Sequence, residues 1–191
     1  MRTERGQVIV IVAVLLVIVL LFLAVIIDGA RLMVEQQELK RAADAAGKAG
    51  LIVVGDRMVT QVVGAQTAAA SITLTATPLG STPGPTLTPT PDADDFYSWL
   101  SDDHRKTLVA PPMQTLVATH VAGSADENDL GFSNPAVTGL IITYPDHYTS
   151  GDQFLQIYVQ IERVVAVMFG SILNLEEGVL TGTTKQSIPQ R

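Results

Sequence analysis

The side chains best able to do chemistry in this sequence are three histidines, His104, His120 and His147, and a scatter of carboxylates. Cysteine is absent, which excludes thiol nucleophiles, thiolate metal ligands and disulfides. The histidines lie far apart and fall in different expected elements, so no two share a spacing that would hold a metal or relay a proton. The closest acid/base grouping is Asp102-Asp103-His104. Adjacent residues on a helix do not face one another, and the grouping reads as a solvated helix face. Asp126-Glu127-Asn128-Asp129-Leu130-Gly131 resembles half of a calcium loop, but Leu130 stands where an oxygen ligand is needed and Val137 where the closing Glu should be. It reads as a solvated turn. No catalytic residue, metal site or cofactor is expected, and the chain reads as non-enzymatic.

With chemistry set aside, the stretch that organises the chain is Val8 to Ile27, twenty consecutive residues without a charge, an amide or a proline. A helix of that length rises about 30 Å, the thickness of a bilayer's hydrocarbon core. In lipid the backbone amides must be satisfied within the segment, so the β-branched richness does not argue for a strand. Arg2 and Arg5 flank one side and Asp28 opens the other. The positive-inside bias therefore predicts a cytoplasmic leader over 1–7, a transmembrane helix over 8–27 and everything later outside the membrane. A cleaved secretory signal peptide is the alternative. Two features oppose it: the apolar run is long for one, and it ends in Asp28-Gly29-Ala30-Arg31-Leu32 and more helix, with no small-residue cleavage site leading into a loop.

Charge divides unevenly along the chain. Residues 1–60 carry seven Lys/Arg against six Asp/Glu, and residues 61–191 carry five against thirteen, so the net −7 resides in the outer part. An acidic head repels phosphate, which excludes nucleic acid as a partner.

The helical signal continues outward to about residue 72. Leu32, Leu39, Ala46 and Val53 recur every seven residues, and Ala42, Ala43, Ala46, Gly47, Ala49 and Gly50 gather small side chains that let another element approach closely. Leu39, Ala42, Ala43, Ala46, Gly47, Gly50 and Val53 are therefore the candidate helix-packing residues. Glu38 with Arg41 and Asp44 with Lys48 have the spacing of helix-surface ion pairs. A lone helix of this kind, about 100 Å long, must cover its apolar outer half in water, either with the chain's own head or with copies of itself. For Leu51 to Val63 the expectation is packing under the head. For the Ala/Gly stripe both readings stand: a good helix-forming run, or a side-by-side contact between copies.

The prolines from Pro78 to Pro91, set among Thr and Gly, predict a semi-rigid linker over 73–91. Order returns with a head over 92–191. Asp92 is placed to cap a short helix carrying Phe96, Trp99 and Leu100, Pro111-Pro112 ends that helix or begins another, and Gly123 is expected to close the second. Leu140 to Tyr144 and Phe154 to Arg163 read as strands, the latter alternating Leu155, Ile157, Val159 and Ile161 with polar residues. Val164 to Leu173 is apolar nearly all round and is read as a short buried helix or turn; Glu177 to Ser187 is a further strand. The expected fold class is α+β: a long membrane-spanning helix extending outward, a Thr/Pro linker, and a small head with short helices and a mainly antiparallel sheet of about three strands.

Three segments carry a family resemblance: Arg5-Gly6-Gln7 with the apolar run behind it, Ile27-Asp28-Gly29-Ala30-Arg31-Leu32, and Gln36-Gln37-Glu38-Leu39-Lys40-Arg41-Ala42-Ala43-Asp44-Ala45-Ala46. This N-terminus resembles the TadE/TadG-like proteins of the tight-adherence (Flp) pilus system. The resemblance implies a pilin-like or pseudopilin-like envelope protein whose partners are the membrane and other pilin-like subunits, itself included, or the pilus-assembly machinery. It also implies a candidate prepilin-peptidase cleavage between Gly6 and Gln7. The chain departs from the processed pattern at Ile11, where many cleaved relatives carry Glu, and it lacks the proline common in such segments. The competing function is a single-pass surface adhesin or binding protein that presents the head on the Thr/Pro spacer.

Overall fold

The computed structural model describes residues 3–75, 95–146, 156–169 and 177–188. Most of the expected Thr/Pro linker, Asp92 and His147 lie outside them.

Helix α1 runs Thr3–Thr75, a rod about 110 Å long. No proline interrupts it before Pro78. Where it leaves the apolar run it gains polar support: Arg31 Nε donates to Glu35 Oε1 at 3.0 Å, and Thr60 and Thr67 donate their hydroxyls to the carbonyls one turn back. A 3₁₀ turn at Phe96–Trp99 follows, capped by Asp95, whose carboxylate accepts from the Tyr97 N–H. Helix α2 is Asp102–Val109, capped by Ser101, with Asp102 and Asp103 in the first turn where negative charge suits the dipole.

Helix α3 spans Pro111–Glu127, with the two prolines at its first positions, where no amide is needed. It does not close at Gly123. A Cβ there would meet nothing within 4 Å, so the position is ordinary exposed helix surface. The stop lies four residues on. Asp129 takes a positive φ of 59°, its N–H bonds to the Asp126 carbonyl, and the N–H of buried Leu130 reaches back to the Ala125 carbonyl at 2.9 Å. This is a Schellman ending with Asp in the position usually held by glycine. The calcium-like segment is thus a helix terminus, and its Asp126 carboxylate is engaged by the Ser133 hydroxyl at 2.8 Å.

Strands β1 (Val137–Thr143), β2 (Gln156–Ala166) and β3 (Glu177–Ser187) form an antiparallel meander with β2 in the centre. The alternation in β2 is realised as expected. Ile157, Val159, Ile161 and Val165 are buried, while Tyr158, Gln160 and Glu162 form a hydrogen-bonded ladder on the other face. Val164 to Ala166 continue this strand rather than starting a helix, because their backbone groups pair with Gly178 to Val179 and Glu177 across the hairpin. Gly170 to Leu173 lie outside the described residues.

Among the described residues the α+β fold is therefore one long helix, two short helices and a three-stranded antiparallel sheet. α1 packs against α3 on one side and against β2 and β3 on another. The core is built around the helix, with Leu39, Ala43, Ala46, Val54 and Met58 meeting Val117, Val121, Leu108 and the apolar face of β2.

Candidate functional site

Between Gln7 and Ala70 the buried positions of α1 are Ala24, Asp28, Leu39, Ala42, Ala43, Ala46, Gly47, Gly50, Leu51, Val54, Met58 and Val62. Steps of three and four along this series keep one face turned toward the head. Small side chains sit where the sheet and α3 come closest. A Cβ on Gly50 would stand 2.8 Å from Val121 Cγ2 and 2.9 Å from Ile157 Cδ1, so this glycine is where α1, α3 and β2 converge. A Cβ on Gly47 would meet the Gln186 side chain at 3.0 Å. Val53 is half-buried at the edge of the same cluster. All seven residues singled out for helix packing thus face the head of their own chain or border that contact.

Polar groups fix the register of this contact. Thr184 on β3 donates its hydroxyl to Asp44 Oδ1, and Gln186 Nε2 donates to the same oxygen at 3.2 Å and to Thr184 Oγ1 at 3.1 Å. Asp44 is therefore committed across the interface. Among the described residues the ion pairs are Arg31–Glu35, Lys106–Asp103 and Lys185–Asp146, so neither Asp44–Lys48 nor Glu38–Arg41 forms. A second tie joins α1 to α2, where Gln61 Nε2 donates to Thr107 Oγ1 at 2.6 Å. At the far end of the sheet, buried Tyr144 donates its hydroxyl to the Leu108 carbonyl at 3.0 Å, and burial pushes its phenol above the usual tyrosine range.

Sequence reading missed Gly182, Thr184, Gln186 and Asp28. A Cβ on Gly182 would lie 2.7 Å from the Leu39 carbonyl carbon, so strand β3 touches the helix backbone itself. An isolated glycine in a strand pattern is a usable signal for such close approach. Asp28 is only 7% exposed and its Oδ2 accepts the Phe169 N–H at 2.8 Å. Nothing local in the sequence points to that bond.

The acid/base candidates do not assemble. The Asp103 side chain is exposed and pairs with Lys106 at 3.2 Å. The His104 backbone N–H caps onto Ser101, and His120 is exposed on α3. Among the described residues no three His, Cys, Asp or Glu side chains are placed to hold a metal.

Among the described residues one helix, α1, is long and apolar enough to cross a membrane, and its apolar span is almost wholly exposed. No curated protein and no solved structure matches the chain. Residues 6–70 match the Flp pilus-assembly TadE/G-like family, a stretch that takes in the apolar span and the whole head-facing stripe of α1. Over residues 6–70, about a third of the chain, the N-terminal rod of this protein is accordingly similar to the TadE/G-like Flp pilus-assembly family.

Proposed function

We propose that this protein is a non-enzymatic, membrane-anchored, pilin-like component of a Flp pilus system, with residues 8–27 in the bilayer, 1–7 on the cytoplasmic side and the acidic head outside. The observation that carries this reading is the coincidence of the family match over 6–70 with a single continuous helix whose first third is exposed and apolar. A rod of this kind transmits position from the membrane to a folded head and needs no catalytic group.

In this reading Leu39, Ala42, Ala43, Ala46, Gly47, Gly50 and Val53 seat the head on its own helix, and a neighbouring pilin-like subunit or assembly component packs on the opposite face. Ile52, Val59 and Val63 remain exposed there and follow helical spacing. The test is replacement of all three by Asp in the native host. Loss of pili, with the protein still folded and membrane-bound, is expected. Normal pili from that variant would refute the packing face, and normal pili after deletion of the whole gene would refute the pilus role.

Maturation by a prepilin peptidase between Gly6 and Gln7 belongs to the same proposal. The family match begins at residue 6, and Gln7 immediately precedes the apolar run. Intact mass of the membrane-extracted protein decides it: loss of residues 1–6 is expected, and a full-length product would exclude the cut.

A further inference from the structure

Past its last pairing with β3, at Ala166 and Glu177, β2 runs on into apolar sequence. Here the strand runs through Val164, Val165 and Ala166 into Val167-Met168-Phe169. Met168 is 62% exposed and Phe169 36%. Their place along α1 accounts for this. β2 starts with Ile157 against Gly50, and the hairpin descends the helix until the Phe169 N–H meets Asp28. From Gly50 back to Asp28 the helix falls about 33 Å, and the strand path from Ile157 to Phe169 covers about 40 Å, so the hairpin runs along α1 toward the apolar span.

Asp28 is the first charge after Ile27. Ala24, one turn earlier on the same face, is the only buried residue between Val8 and Ile27. Phe169 therefore stands at the level where the span ends. A turn amide placed there loses water as a partner, and an unpaired amide at a lipid boundary is costly. The Asp28 carboxylate supplies the acceptor at 2.8 Å.

We infer that the stretch just past β2 is a second membrane contact: Met168 and Phe169 enter the interfacial layer of the bilayer beside the helix, and Asp28 caps the Phe169 amide there. The inference rests on the reading of residues 8–27 as membrane-spanning. It gives the head two points of attachment to the lipid surface, which fixes its height and its rotation about the rod.

The full chain contains no cysteine, so single cysteines carrying an environment-sensitive fluorophore can be placed by M168C, L15C and L116C. Each variant is reconstituted in vesicles of phosphatidylcholine and phosphatidylglycerol containing lipids that carry a quencher near the glycerol or deep in the chain. The expected result is quenching at 15 by the deep lipid, quenching at 168 by the shallow lipid with blue-shifted emission, and a water-like, unquenched label at 116 on α3. A label at 168 that behaves like the one at 116 while 15 is quenched overturns the inference and leaves the membrane span intact. Blue-shifted emission at 168 without lipid quenching also overturns it, because that position is then covered by protein. An unquenched label at 15 overturns the span and the inference together.

Discussion

Gly182 in β3 lies so close to Leu39 in α1 that a Cβ at 182 would sit 2.7 Å from the Leu39 carbonyl carbon and 2.8 Å from its oxygen. The obstacle is backbone, which cannot swing aside as a side-chain tip can. Gly182→Ala is therefore expected to lower head stability by about 1–3 kcal/mol, the usual cost of overpacking. Gly178→Ala in the same strand meets nothing within 4 Å and should be close to neutral. Chemical denaturation of both variants in detergent checks the contrast, and equal losses would contradict the close approach.

Asp44 is bound by Thr184 and Gln186 across the helix–sheet contact. Asp44→Ala leaves those donors without their acceptor and should cost about 1–3 kcal/mol. Lys48→Ala should change stability by less than about 0.5 kcal/mol, since its helix-spaced carboxylate is engaged elsewhere. A cycle combining Asp44→Ala with Thr184→Val should show coupling of at least about 0.5 kcal/mol; simple additivity would remove Asp44 from the register.

Tyr144 is buried and donates to the Leu108 carbonyl. Its folded-state pKa lies above the unfolded value because burial penalises the phenolate. The unfolded chain therefore loses this proton first as pH rises. Stability contributed by Tyr144 is complete below the unfolded tyrosine pKa of about 10 and falls above it. Tyr144→Phe should lower stability at neutral pH by about 1 kcal/mol and flatten the decline at alkaline pH, which titration of unfolding free energy against pH will measure.

Met58 and Ile52 test the two faces of the rod. Met58 is in the core and Met58→Ala should cost about 2–5 kcal/mol. Ile52 is exposed, and Ile52→Ser should alter head stability by less than about 0.5 kcal/mol. Thermal melts of the detergent-solubilised protein compare them. A large loss at Ile52 in dilute monomeric protein would show that this face is already occupied by the chain itself.

The long helix and the strands could be read directly from the residues, because both signals are local. A charge-free run of twenty residues leaves a backbone in lipid no option but helix, and the alternation of Ile157, Val159 and Ile161 encodes a one-sided strand. The small-residue stripe could be seen to face a close neighbour, but its composition carries no mark of which one. Gly50 admits Val121 and Ile157 as readily as another copy's helix. Asp44 shows why local spacing misleads. Lys48 stands one turn away, yet the carboxylate is taken by Thr184, 140 residues later, since a neutral donor held rigidly at the interface outcompetes a flexible solvated ammonium. The Asp28 bond to the Phe169 amide spans 141 residues and involves a backbone group, which has no signature in a side-chain sequence. Helix, strand and span follow from neighbours along the chain; the docking face, its register and the descent of the hairpin to the end of the apolar run follow from which distant surfaces fill one another.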